Sequence, residues 1–433
     1  MRQHNPFRPL TTALGLILAS ALGGCGGSSM GGAMMPVDPM QPNPPSGPST
    51  TAPPAVMQAQ QANTPVDPAI VTADNTFGLN LFQNLNSGAT ANVAIAPISV
   101  AMALQIVYNG AAGATQQGMA QTLALGSLST QDLNNDNAAL QGSLLNPDPQ
   151  VQLTIANSLW MHLDVNAVAP SFTQMDQMYY GATVGDLAGA PANVNSWVST
   201  ETDGLITNIL PNMNYASVVA VIANVIYFKG QWSTEFDPSQ TAAAPFTLTD
   251  GTQVSVPMMH QSATYGYLQG ANFQAVRMPY GQGRLSMLVV MPSAGTSLNS
   301  FVASLTPDML TSWEAQLQTG MGSLSMPKFT ATYGASLVQP LTTLGMQAAF
   351  CSDPMASFPG IGLVCIQDVE HKTVVEVDES GTVAAGATTV TIVPTAVEVP
   401  LFTLTLDHPF LYAIRDDKTG ELLFIGTMMN PAD

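Results

Sequence analysis

Polar and apolar positions alternate from Lys372 to Val377 (K-T-V-V-E-V), the period-two pattern of a strand with one buried face. Elsewhere the period lengthens. Phe77, Leu81 and Leu85 stand at i, i+4 and i+8 and predict an amphipathic helix. A second helix is expected after Asn92–Ala96, with Pro97 in its first turn and Gly110 at its end. Near the C-terminus, His408–Asp416 and Glu421–Gly426 flank Asp417–Gly420, a hairpin signal. From about residue 68 to 433 such periods recur throughout, as one large domain of several layers requires.

Beyond the strand at Lys372–Val377 the pattern changes. Glu379 to Thr395 reads E-S-G-T-V-A-A-G-A-T-T-V-T-I-V-P-T, with no charged residue from Gly381 to Val397 and nothing larger than Val from Thr382 to Thr389. So uncharged and β-prone a run is a buried strand or an aggregation hazard. Gly381, Gly386 and Pro394 interrupt it, as expected of a mobile stretch that can become a strand. By itself it also fits a Gly/Ala-rich surface loop.

The N-terminus has no globular pattern. Arg2 and Arg8 precede an apolar run, Leu10–Leu22, too short to span a bilayer, and Leu22-Gly23-Gly24-Cys25 looks like a bacterial lipobox. Residues 1–24 are therefore expected to be a signal peptide. Cys25 would be the lipidated first residue of the mature protein, which is expected in the cell envelope, at the outer membrane or cell surface. Residues 25–67, rich in Pro, Gly, Ser, Met and Gln, read as a disordered tether. Without Arg2 and Arg8, seven of the nine basic residues remain against 28 acidic ones, a formal charge of −21. Nucleic-acid binding has no electrostatic footing on such a chain.

Catalytic and metal-binding patterns are absent. H-E-x-x-H, C-x-x-C and G-x-x-x-x-G-K do not occur, the G-x-S-x-G match at Gly27–Gly31 falls in the Gly/Ser-rich tether rather than at a strand-to-helix turn, and the five histidines (4, 162, 260, 371, 408) show no metal-ligand spacing. No metal, no cofactor and no enzymatic activity are expected. Cys351 and Cys365 lie fourteen positions apart, and both a disulfide and two buried thiols stay open.

The run Glu379-Ser-Gly381-Thr382 followed by Ala384, Ala385, Gly386, Ala387 and Thr388 resembles the hinge of a serpin reactive-centre loop. Further short matches follow in family order: Y-N-G-A-A-G-A-T (108–115), N-S-L-W (157–160), V-N-S-W-V (194–198), N-V-I-Y-F-K-G-Q-W (224–232), M-P-Y (278–280), M-P-K-F (326–329), H-K (371–372) and H-P-F-L-Y-A-I-R-D (408–416). Each is weak alone, but together they span residues 68–433. The resemblance implies an α+β serpin fold: three β-sheets, about eight or nine helices, and an exposed reactive-centre loop at about 379–400.

It also implies roles. Ser99, Asn224 and His371 fall at the family's shutter, where polar side chains bridge strands that must part. Ala96 stands where the family usually has Ser, which removes one hydroxyl from that cluster. Trp232 falls at the breach, where insertion begins, and Lys328 and Glu379 match a salt-bridged pair there. A helix near Thr130–Asn146, which carries heparin-binding bases in some members, has none here, which argues against a polyanion cofactor.

The implied function is suicide-type, covalent inhibition of a serine or related cysteine protease by a monomer. Counting into the loop from Glu379 as in the family puts the scissile bond at Thr395–Ala396, with Val393 and Val397 as alternative bait residues. These small or β-branched residues suit elastase- or subtilisin-like enzymes. Thr382, Ala384, Gly386 and Thr388 would face inward on insertion. The rival reading is a non-inhibitory serpin acting as a binding or chaperone-like module. Such relatives usually carry bulky, charged or Pro residues in the hinge, and Thr382–Thr388 has none.

Overall fold

The computed structural model describes residues 64–163, 168–362, 365–382 and 400–433. Its α-helices, in chain order, are α1 (Pro68–Asn86), α2 (Pro97–Tyr108), α3 (Gly113–Thr122), α4 (Thr130–Leu144), α5 (Pro170–Tyr179), α6 (Ala192–Glu201), α7 (Leu298–Ala303), α8 (Pro307–Gln316) and the single turn α9 (Val338–Leu341). Fifteen strands accompany them among the described residues. They are β1 (Val93–Ile95), β2 (Val151–Met161), β3 (Thr183–Asp186), β4 (Ala220–Gln231), β5 (Ala242–Thr247), β6 (Gln253–Gln269), β7 (Phe273–Tyr280), β8 (Leu285–Pro292), β9 (Gln318–Pro327), β10 (Phe329–Ser336), β11 (Asp368–Val377), β12 (Gly381–Thr382), β13 (Phe402–Thr405), β14 (Phe410–Asp416) and β15 (Leu422–Met428).

The helix signals translate directly. Asp67 accepts from the Ala69 N–H and Pro68 opens α1, whose Phe77 and Leu81 are fully buried while Leu85 is partly so. Pro97 likewise opens α2, and every residue of that helix is buried. An all-buried helix must lie at the centre of the layers; α2 packs against β2, β4 and β15.

Hydrogen bonding organises the strands into two sheets. The six-stranded one has the order β10-β11-β12-β4-β2-β3. The nine-stranded one runs β1-β15-β14-β8-β7-β6-β9-β13, with β5 paired to β6. Where the resemblance implies three sheets, the described strands are hydrogen-bonded into two, because one ladder runs unbroken through β6. The link is the 17-residue β6, which pairs with β5 and β9 along most of its length and with β7 at its end. The hairpin read from His408 to Gly426 is β14–β15. Cys351 and Cys365 are disulfide-bonded, with their Cα atoms 4.8 Å apart, just ahead of β11.

Candidate functional site

β11 and β4 run parallel and are paired only from Asp368–Lys372 against Val221–Val225. Higher up they diverge. At the top of the opening sits β12, with Thr382 opposite both Gly230 of β4 and Val377 of β11, and Gly381 opposite Gln231. Among the described residues, Thr373–Glu376 and Ile226–Lys229 have no ladder partner across this seam. Gly381 and Thr382 of the predicted loop are therefore already seated as a strand between two strands.

A short turn delivers them there. Asp378 Oδ1 accepts from the N–H groups of Ser380 and Gly381, and the Asp378 N–H donates to Gly381 O. The segment after β4 takes up the other carbonyls. Trp232 Nε1 donates to Asp378 O at 3.0 Å, the Trp232 N–H to Ser380 O at 2.9 Å, and the Phe236 N–H to Glu379 O at 2.8 Å. Gly381 has φ +155°, and a Cβ added there would run into the Gly230 carbonyl oxygen, so only glycine allows this approach.

Side chains close the same corner. Lys328 Nζ lies 2.7 Å from Glu379 Oε2, and Thr241 Oγ1 donates to Glu379 Oε1 at 2.8 Å. Burial pulls the Glu379 carboxyl upward, but these two partners outweigh it and hold it below the ordinary carboxylate range. Thr382 is buried, its Oγ1 2.6 Å from the hydroxyl of Tyr280. The Tyr280 ring stacks on Trp232 with centroids 4.4 Å apart.

Further down, the paired part of the seam carries a polar cluster. Asn157 of β2, Asn224 of β4 and His371 of β11 lie in register across three neighbouring strands. Asn224 Nδ2 donates toward Asn157 Oδ1 at 2.6 Å and toward both the hydroxyl and the carbonyl of Ser99, at the start of α2. His371 Nδ1 meets Asn224 Oδ1 at 3.0 Å, while the Ala96 N–H donates to His371 Nε2. Thr373 adds a bond to Ala94 O. None of these side chains is left with a buried unpaired N or O. The hydroxyl missing at Ala96 leaves no gap, because the main chain of that residue satisfies the imidazole.

Thus Ser99, Asn224 and His371 meet in one cluster, and Trp232, Lys328, Glu379, Gly381 and Thr382 in another. Ala384, Ala385, Gly386, Ala387, Thr388, Thr395, Ala396 and Cys25 lie outside the described residues. Two contributors, Asn157 and Tyr280, stood within the matched motifs without an assigned part. Their partners are 67 and 102 positions away, so only the cross-strand register could single them out.

Comparison with known proteins agrees with this architecture. A family model described as Serpin (serine protease inhibitor) matches residues 72–431. An uncharacterized serpin-like protein of Thermococcus kodakarensis is 32% identical over 381 residues, which cover 84% of this chain and 86% of that protein. Leukocyte elastase inhibitor A of Mus musculus is 30% identical over 378 residues, covering 83% and 99%. Among solved structures, that of tengpin, a thermophilic serpin in its native state, superposes with a TM-score of 0.78 at 29% identity, covering 88% of this chain and all of that one. Human thyroxine-binding globulin, in complex with thyroxine, superposes at 0.75 with 26% identity, covering 84% and 98%. With the family model matching most of its length and a relative above 30% identity, the chain belongs to the serpin family.

Proposed function

We propose that this serpin is a suicide-type inhibitor of serine, and by the same chemistry cysteine, endopeptidases with elastase- or subtilisin-like specificity. One observation carries the reading: the seam is parted at its top and already holds Gly381 and Thr382, while the residues that follow are small enough to enter after them. The mouse relative being an elastase inhibitor points the same way.

In this mechanism the protease attacks the carbonyl of Thr395 and becomes acylated. The cut loop then continues the strand begun by β12. About 14 residues at about 3.3 Å each would carry the acyl link roughly 45 Å. Moving the acyl group out of the oxyanion hole would slow deacylation on the order of 10²–10³-fold per donor lost. The protein is proposed to act as a monomer, tethered to the cell envelope through lipid on Cys25.

Incubation with a protease panel tests this. Elastase- or subtilisin-like enzymes should give a denaturant-resistant covalent complex and release a C-terminal fragment beginning at Ala396. Clean turnover with every such enzyme would overturn it and favour a non-inhibitory binding or chaperone-like module.

A further inference from the structure

We infer that the Tyr280 hydroxyl is a latch that holds the hinge in its docked position, making Tyr280 a positioning residue that sets how often insertion outruns release of the cleaved loop. The kinetic half of this inference rests on the inhibitory reading above; the latch itself does not.

Tyr280 is 0% exposed and Thr382 is 1% exposed. Their hydroxyls are 2.6 Å apart, and among the described residues each is the other's hydrogen-bond partner. Burial pushes the Tyr280 phenol above its ordinary range, so it stays protonated. The Tyr412 phenol is near enough to act on it electrostatically, yet among the described residues the Tyr280 hydroxyl is bonded to Thr382 and not to Tyr412. Withdrawing the hinge would leave the Tyr280 hydroxyl buried and unpaired, a state proteins avoid. The ring is fixed independently, stacked on Trp232 at 4.4 Å and edge-on to Phe228 at 5.0 Å. A rigid ring, a buried hydroxyl and an inward-facing threonine together keep the first rung of the new strand formed. Insertion then propagates from a paired end without a nucleation step.

Tyr280→Phe keeps the ring and deletes the hydroxyl; Thr382→Ser keeps a hydroxyl on the hinge. Hydrogen exchange without protease should show the Gly381 and Thr382 amides opening about tenfold more often in Tyr280→Phe, the effect of one lost hydrogen bond to a buried group. Trp232 emission should shift with it, and Thr382→Ser should match the parent on both readouts. Against a subtilisin-like protease, Tyr280→Phe should raise the stoichiometry of inhibition several-fold with an unchanged rate of bait attack. Exchange within twofold of the parent would overturn the latch. Faster exchange with unchanged stoichiometry would overturn its kinetic role. If the parent protein traps no protease, the inhibitory reading and the kinetic role fail together, and exchange alone still decides the latch.

Discussion

The main-chain N–H of Ala96 donates to Nε2 of His371 across 3.2 Å. Because an amide N–H can only donate, Nε2 must accept, and the ring proton sits on Nδ1, facing Asn224 Oδ1. The imidazole is thus neutral in the paired seam. Burial pushes its pKa down to about 3.

A pH dependence of stability follows. Below about pH 6.5 the unfolded chain takes up a proton on His371 that the folded chain refuses until about pH 3. Stability is fully present above that window and is lost as pH falls through it, by about 2 kcal/mol between pH 6.5 and 5. The His371→Gln variant cannot titrate there. Its deficit relative to the parent should shrink by that amount in denaturant melts at the two pH values, whereas a constant deficit would contradict the buried neutral ring.

Glu421 and Asp74 predict the opposite slope. Both are fully buried, and among the described residues neither Glu421 oxygen nor Asp74 Oδ2 has a hydrogen-bond partner. Burial, with a donor bond from Gln105 opposing, raises Asp74 to about 7; burial and the neighbouring Asp74 and Asp416 raise Glu421 well above the carboxylate range. Stability from these groups is full in acid and is lost as pH rises, for Asp74 between about 3.8 and 7. Glu421→Gln should therefore stabilise the protein at pH 8, by about 1–3 kcal/mol, and give no gain at pH 4. Destabilisation at pH 8 would show that the carboxylate has a favourable role there.

Cutting the loop within Val390–Ala396 should stabilise the protein, although a cut normally loosens a chain. The freed segment would gain ladder bonds in the open seam and bury apolar area at roughly 25 cal/mol per Å². Paired thermal melts, with the cut site verified by mass, should differ by more than about 10 °C in favour of the cut form. An equal or lower midpoint would mean that the seam does not accept the loop.

Cys25→Ser should release the protein from membranes into the soluble fraction of the expressing cells. Membrane attachment that survives the change would rule out lipid at this position.

Local chemistry made much of this readable from the sequence. Pro97, the spacing of Phe77 and Leu81, and the turn at Asp417–Gly420 each declare an element through neighbours a few positions away. The resemblance named the residues of the two seam clusters. What was not legible depends on register between distant strands: Asn157 in the cluster, Tyr280 against Thr382, and the docking of Gly381 between β4 and β11. Cys351 and Cys365 could not be assigned by spacing; the 4.8 Å between their Cα atoms decided it. Asp74 and Glu421, in the second turn of α1 and beside a hairpin turn, gave no sign of full burial.

The register of β12 has one more consequence. Thr382 lies opposite Gly230 on one side and Val377 on the other. Six residues down, the same two strands present Asn224 and His371, so a strand continuing this register would bring Thr388 between them, on the same face as Thr382. Entry of that strand separates Asn224 from His371 but leaves Asn224 its bonds to Asn157 and Ser99. The Thr388 hydroxyl can accept from His371 and donate to Asn224, replacing the single bond broken. Thr388→Val should accordingly reduce the thermal gain on loop cleavage while leaving the intact midpoint unchanged; an undiminished gain would refute this register. The spacing of the hinge is then a ruler, because one residue inserted between Thr382 and Thr388 would set the methyl of Ala387 against the imidazole.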